Sequence, residues 1–127
     1  MNLLTGIIAR IFFAVPFLGL GINHFLNASF LAGIVPIPGG VIWVYLTGIA
    51  MILAGIAAIT KFQGKLAMLL LALLLFIYII SIHVPSVLNP DTRMIGLMGL
   101  YKDFGLMGGA LLLAGIFNNE SKQKEQV

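Results

Sequence analysis

Four long apolar stretches constrain this chain more than any other feature: Leu3 to Phe25, Val41 to Ile59, Leu66 to Val84 and Met94 to Phe117. Each supplies the ~20 residues that an α-helix needs to cross a hydrocarbon layer about 30 Å thick. No water inside such a layer can satisfy backbone N–H and C=O groups, so a crossing segment bonds them within itself, as a helix. A water-exposed surface calls for charge at roughly a quarter of the residues, whereas 9% of this chain is Asp, Glu, Lys or Arg. The expectation is an all-α integral membrane four-helix bundle. Residues 1–117 would form one membrane domain, and 118–127 a mobile polar tail. The first stretch reads as a permanent helix, since no basic segment precedes it and it exceeds the length of a secretory signal core.

Charge sets the topology. Lys61, Lys65, Lys122 and Lys124 fall on one side of the four crossings, and Arg93 alone lies in a loop on the other. Basic residues in short loops mark the inner face, so both termini are expected inside. The net charge of +3 is then a topology signal and gives no reason to expect a nucleic-acid partner. Trp43, Tyr45, Tyr78 and Tyr101 fall towards the outer interface, as an aromatic belt. The connection Lys61-Phe62-Gln63-Gly64-Lys65 is so short that the second and third helices must be antiparallel neighbours. The first outer loop, Leu26 to Gly40, is apolar and is broken by Pro36, Pro38 and the Gly39-Gly40 pair, which predicts a half-helix at the interface or across the bundle mouth. The second outer loop is expected over Pro85 to Arg93, with Asn89-Pro90-Asp91 as its turn.

Small residues mark the second helix (Gly48, Ala54, Gly55, Ala58) and the fourth (Gly105, Gly108, Gly109, Gly115). They predict close helix packing within the bundle. The chain has no cysteine, which excludes disulfides and thiolate sites within it. No hydrolytic triad, phosphate-cradling loop or zinc motif is present.

Ionisable side chains within spanning helices are costly and normally face partners. Here they are Arg10, His24, His83, Lys102 and Asp103. Arg10 and His24 lie fourteen residues apart and share one helix face, together with Phe17 and Gly21. Pro16 between them is expected to kink the helix. Arg10 is read as structural or as a lipid-phosphate contact at the inner side. His24, His83, Lys102 and Asp103 converge from three helices on the outer half of the bundle, near Asn23 and Asn27. They fit the mouth of a ligand pocket lined by Phe13, Phe17, Trp43, Tyr78 and Tyr101. A bland reading stands beside it: Lys102 snorkels to the interface, and Asp103 is only a counter-ion to Lys102, Arg10 or a histidine. A proton relay through His24, His83 and Asp103 is a third reading. Haem between the two histidines is disfavoured, because both lie near the membrane edge and no haem-attachment motif occurs.

Four runs carry a family resemblance. They are Arg10 with Gly19-Leu20-Gly21-Ile22-Asn23-His24-Phe25, Phe30 and Pro36; Leu46-Thr47-Gly48-Ile49-Ala50-Met51-Ile52-Leu53-Ala54-Gly55; His83-Val84-Pro85; and Lys102-Asp103-Phe104-Gly105-Leu106-Met107-Gly108-Gly109-Ala110. In their order and spacing, across nearly everything before the tail, the chain resembles the DoxX family of small four-helix membrane proteins. The resemblance implies a four-helix bundle in the bacterial cytoplasmic (inner) membrane. It also implies a link to subunits of a thiosulfate:quinone oxidoreductase and to oxidative-stress complexes. More distantly, the chain looks similar to receptor-assembly chaperones of the NACHO type. Many family members carry a glutamate where this chain has Met51, which leaves Asp103 as its one intramembrane acid.

The expected function is binding of an apolar ligand, a quinone or a lipid, by a chain that is not a self-sufficient enzyme, or service as a membrane subunit or assembly partner. The expected ligand-binding residues are His24, His83, Lys102, Asp103, Phe17, Trp43, Tyr78 and Tyr101. Asp103 would anchor the cluster, the histidines would hydrogen-bond or exchange protons, and Lys102 would meet an anionic or carbonyl head. The alternatives are a redox subunit of a quinone-linked oxidoreductase and a chaperone-like interaction protein. Expected partners are membrane lipid and a membrane protein or a second copy.

Overall fold

A computed structural model describes residues 3–33 and 39–126. Among these residues the chain is helical, joined by short turns and without a strand. A π-helical turn, Leu4–Ile8, leads into α1 (Ala9–Leu26); α2 (Ala28–Ala32) and α3 (Gly40–Thr60) follow. Next comes α4 (Gly64–Tyr78), which continues through a second π-helical turn, Ile79–His83, into α5 (Val84–Leu88); α6 (Arg93–Glu125) ends the fold. Joined across their π-turns, these make four rods of 23, 21, 25 and 33 residues, each long and apolar enough to cross a membrane. The protein is thus a multi-pass membrane bundle. Many of its outward side chains are large and apolar: Phe12 and Leu112 are each more than 70% exposed, an arrangement suited to lipid rather than water.

The chain packs α1 on α3 and α4 on α6, while the three-residue turn after Thr60 makes α3 and α4 a hairpin. Lys61 and Gln63 in that turn both adopt left-handed backbone, with φ of 67° and 49°. The α1–α3 crossing is close because glycines face each other. A Cβ on Gly21 would lie 2.8 Å from the Gly48 carbonyl oxygen, and one on Gly48 would lie 2.8 Å from His24 Cβ. Phe13 against Gly109 closes the ring between α1 and α6. Ala14, Phe17, Met51, Ala58, Met68 and Ala110 lie in the common core.

Arg10 sits at the end of the bundle that carries the α3–α4 turn. Its Nη1 donates to the Ile59 carbonyl at 2.6 Å and to that of Ala58 at 3.4 Å. Carbonyls in the last turn of a helix lack intrahelical donors and carry the negative end of the helix dipole. Arg10 therefore caps α3 from α1, a structural role. Pro16 removes the N–H that would bond the Phe12 carbonyl, yet α1 runs through it from Ala9 to Leu26. The non-helical φ/ψ of this first rod falls instead at Gly6, in the π-turn.

Several sequence expectations need correction. The third rod does not stop at Val84: it passes through Pro85 and ends at Leu88. Pro85 stands at the start of α5, directly after the π-turn, where its fixed φ suits a helix. The fourth rod does not stop at Phe117 either, since α6 runs on through Glu125. No glycine or proline follows Gly115, and Glu, Lys and Gln are good helix formers. Lys122 and Lys124 in the last turn suit the C-terminal dipole. Of the fourth helix's marked glycines, only Gly109 packs in the bundle; Gly105, Gly108 and Gly115 face open space. In the first outer loop α2 supplies the expected short helix, while Pro36 and Pro38 lie outside the described residues.

Candidate functional site

Asp103 is 3% exposed, the one buried charged residue among those described. A carboxylate so placed is costly without a partner. Its partner is His83, whose Nε2 lies 2.6 Å from Asp103 Oδ2. Lys102 Nζ stands 3.9 Å from Oδ1, and its side chain is 58% exposed. The pairing that the sequence left open between Lys102, Arg10 and a histidine is thus made by His83, with Lys102 at the rim.

Local structure explains how His83 arrives there. It ends the π-turn in which the Val84 N–H bonds the Ile79 carbonyl five residues back. Such a bulge re-aims the side chains that follow it, and π-bulges are common at functional sites. On the facing helix, Gly99 and Asp103 lie one turn apart. A Cβ on Gly99 would come within 2.6 Å of both His83 Nδ1 and Cε1. Gly99 makes room for the imidazole, and Asp103 holds its other edge.

A second pair stands on α1 and α4. His24 Nδ1 lies 2.7 Å from the Leu20 carbonyl. A carbonyl only accepts, so Nδ1 donates to it, and Nε2 faces the Tyr78 hydroxyl, 3.4 Å away. No hydrogen bond among the described residues joins this pair to His83–Asp103.

Both pairs border one cavity of about 520 Å³ towards the loop end of the bundle, between the α1–α3 pair and the α4–α6 pair. Its walls are overwhelmingly apolar. Of the eight expected ligand residues, the structure brings seven to this space: Phe17, His24, Trp43, Tyr78, His83, Lys102 and Asp103. Tyr101 is not among them; it is 70% exposed. At 100° per residue, Tyr101 and Asp103 point about 200° apart on α6, so they cannot share a face. Phe13 also lies outside the cavity and packs on Phe17 instead.

Sequence reasoning missed Leu31, Thr47, Met51 and Ser81, which also line the cavity. A signal existed for two of them: Trp43, Thr47 and Met51 recur every four residues, one face of α3. Thr47 donates its hydroxyl to the Trp43 and Val44 carbonyls, at 2.9 and 3.1 Å. Met51 is a buried wall residue. Leu31 comes from α2, the short helix of the first outer loop, which packs on α3.

The arrangement can hold a molecule of several hundred Å³ with an apolar body and a polar head, and can exchange hydrogen bonds or protons with that head. Both histidines have Nε2 engaged, one with a carboxylate and one with a phenol. No family model matches the chain, and neither does any curated protein or solved structure.

Proposed function

We propose that this protein binds an amphiphilic ligand, a quinone or a lipid, with its head at His24, His83, Lys102 and Asp103 and its apolar body against Phe17, Trp43 and Met51. The observation that carries the proposal is the His83–Asp103 pair at 2.6 Å on the wall of a large apolar cavity. An ionisable group at the centre of a spanning helix costs about 2.5–3.5 kcal/mol on insertion scales. A purely structural pair would gain by close packing with no space beside it. We further read the chain as DoxX-like, acting in a bacterial cytoplasmic membrane as a binding subunit and not as a self-sufficient enzyme. The grouping of Lys61, Lys65, Lys122 and Lys124 at one end of the bundle supports placing that end inside.

The test is mass spectrometry of small molecules that co-purify from native membranes, wild type beside Asp103→Asn. The proposal expects one stoichiometric quinone or lipid, lost or reduced at least tenfold in the mutant at unchanged thermal stability. Bulk lipid alone in both samples would overturn it. That outcome would favour the second reading, a membrane subunit or assembly partner, which the open glycines Gly105, Gly108 and Gly115 on α6 support.

A further inference from the structure

At the opposite end of the bundle the helical extension of α6 stands beside the α3–α4 turn, and the two enclose a second cavity of about 360 Å³. Three lysines border it: Lys61 and Lys65 from the turn and the start of α4, and Lys124 from the extension. The one acid on its wall is Glu120, paired with Lys61 at 3.0 Å. No carboxylate among the described residues pairs with Lys65 or Lys124. The cavity thus carries an excess of two positive charges. Its lining also includes two apolar side chains, Leu66 and the buried Phe117. Beside it, Phe62 is 77% exposed and Leu66 55%.

Position matters as much as charge. The α3–α4 turn joins two membrane-crossing rods, so it lies where hydrocarbon gives way to lipid headgroups. Phe117, Glu120, Ser121 and Lys124 stand at i, i+3, i+4 and i+7, one face of α6. Lys124 is seven residues past Phe117, about 10 Å further along the axis. The wall therefore runs from an apolar base to a cationic rim, matching the order of acyl chain, glycerol and phosphate in a phospholipid. A free phosphate would have no use for the exposed Phe62 and Leu66.

We infer that this cavity is a binding site for the phosphate headgroup of an anionic phospholipid, with Lys65 and Lys124 as the phosphate-facing cations and Phe62 and Leu66 alongside the acyl chains. Basic pockets between membrane helices bind such headgroups in general, and each lysine near an anionic membrane surface contributes about fivefold in affinity. The site is independent of the His83–Asp103 cavity.

The test uses the full chain, purified in detergent, and native mass spectrometry with three probes: dioctanoyl-phosphatidylglycerol, dioctanoyl-phosphatidylcholine and inorganic phosphate. The expected result is retention of the phosphatidylglycerol in preference to the other two. Retention should fall on the order of tenfold or more in Lys65→Gln/Lys124→Gln and stay unchanged in Lys122→Gln, whose lysine does not line the cavity. Glu120→Gln should strengthen retention severalfold, a gain that misfolding cannot imitate. Equal retention of phosphatidylcholine would overturn the inference. So would an equal loss in Lys122→Gln, which would mean general attraction to a basic segment. Displacement of the lipid by inorganic phosphate at comparable concentration would make this a free-phosphate site and overturn the lipid assignment.

Discussion

Single atoms decide whether the two glycines nearest the histidines tolerate change. At Gly99 the obstacle to a methyl group is the His83 ring, 2.6 Å away, and a side chain can swing aside. Gly99→Ala should therefore leave the fold intact but displace the imidazole from Asp103. The expected outcome is ligand retention lost at least as far as in Asp103→Asn, with a melting temperature within a few degrees of wild type. At Gly48 the obstacles include the Gly21 carbonyl oxygen at 3.2 Å and His24 Cβ at 2.8 Å, and neither moves without moving α1. Gly48→Ala should cost about 1–3 kcal/mol by overpacking, measurable by thermal unfolding in detergent. A Gly48→Ala protein as stable as wild type would show that the α1–α3 crossing is looser than described.

The elements are joined by polar latches and small-residue faces, and each has its own signature. Arg10 gives the last carbonyls of α3 a charged donor. Hydrogen bonds to charged groups are worth about 1.5–3 kcal/mol, so Arg10→Met should lower unfolding stability by about that amount while ligand retention persists. Lys61–Glu120, by contrast, is a solvent-screened pair with side chains 41% and 26% exposed. Losing it should cost less than about 1 kcal/mol. On α6, Gly105 and Gly115 meet nothing within 4 Å. If that face meets only lipid, Gly105→Ala and Gly115→Ala should each stabilise by up to ~1 kcal/mol through helix propensity. A fall in stability, or loss of a co-purifying protein, would reveal a protein partner packed against those glycines.

At the scale of the whole molecule, the four rods form two tight pairs, and the main cavity lies between them. That geometry puts the chain's one tryptophan, Trp43, on the cavity wall. A short-chain quinone entering the cavity should quench Trp43 fluorescence saturably. Thr47→Phe, which fills the same wall, should weaken that quenching at least tenfold. Quenching that grows linearly with quinone in both proteins would be collisional, reporting the exposed edge of Trp43 and not a filled cavity.

Much of this protein was legible in its residues, because lipid imposes one-dimensional rules. Apolar length locates four helices, the three-residue turn forces a hairpin, and 100° per residue places Phe17 and His24 on one face. The cost of an intramembrane charge singles out Arg10, His24, His83, Lys102 and Asp103. What periodicity cannot decide is which partner an ionisable group meets across helices. Arg10 and His24 share a face of α1, yet one caps α3 and the other turns to Tyr78. Asp103 had three candidate partners, and a π-turn that no propensity marks brought His83 to it. Tyr101 could have been set aside from its angle alone, and the helical course of residues 118–125 from the absence of glycine and proline there. Cavities are different: each is the space left where several helices fail to touch. Only the tertiary packing of α1 on α3 and α4 on α6, and of the α6 extension beside the hairpin, decided where those spaces lie.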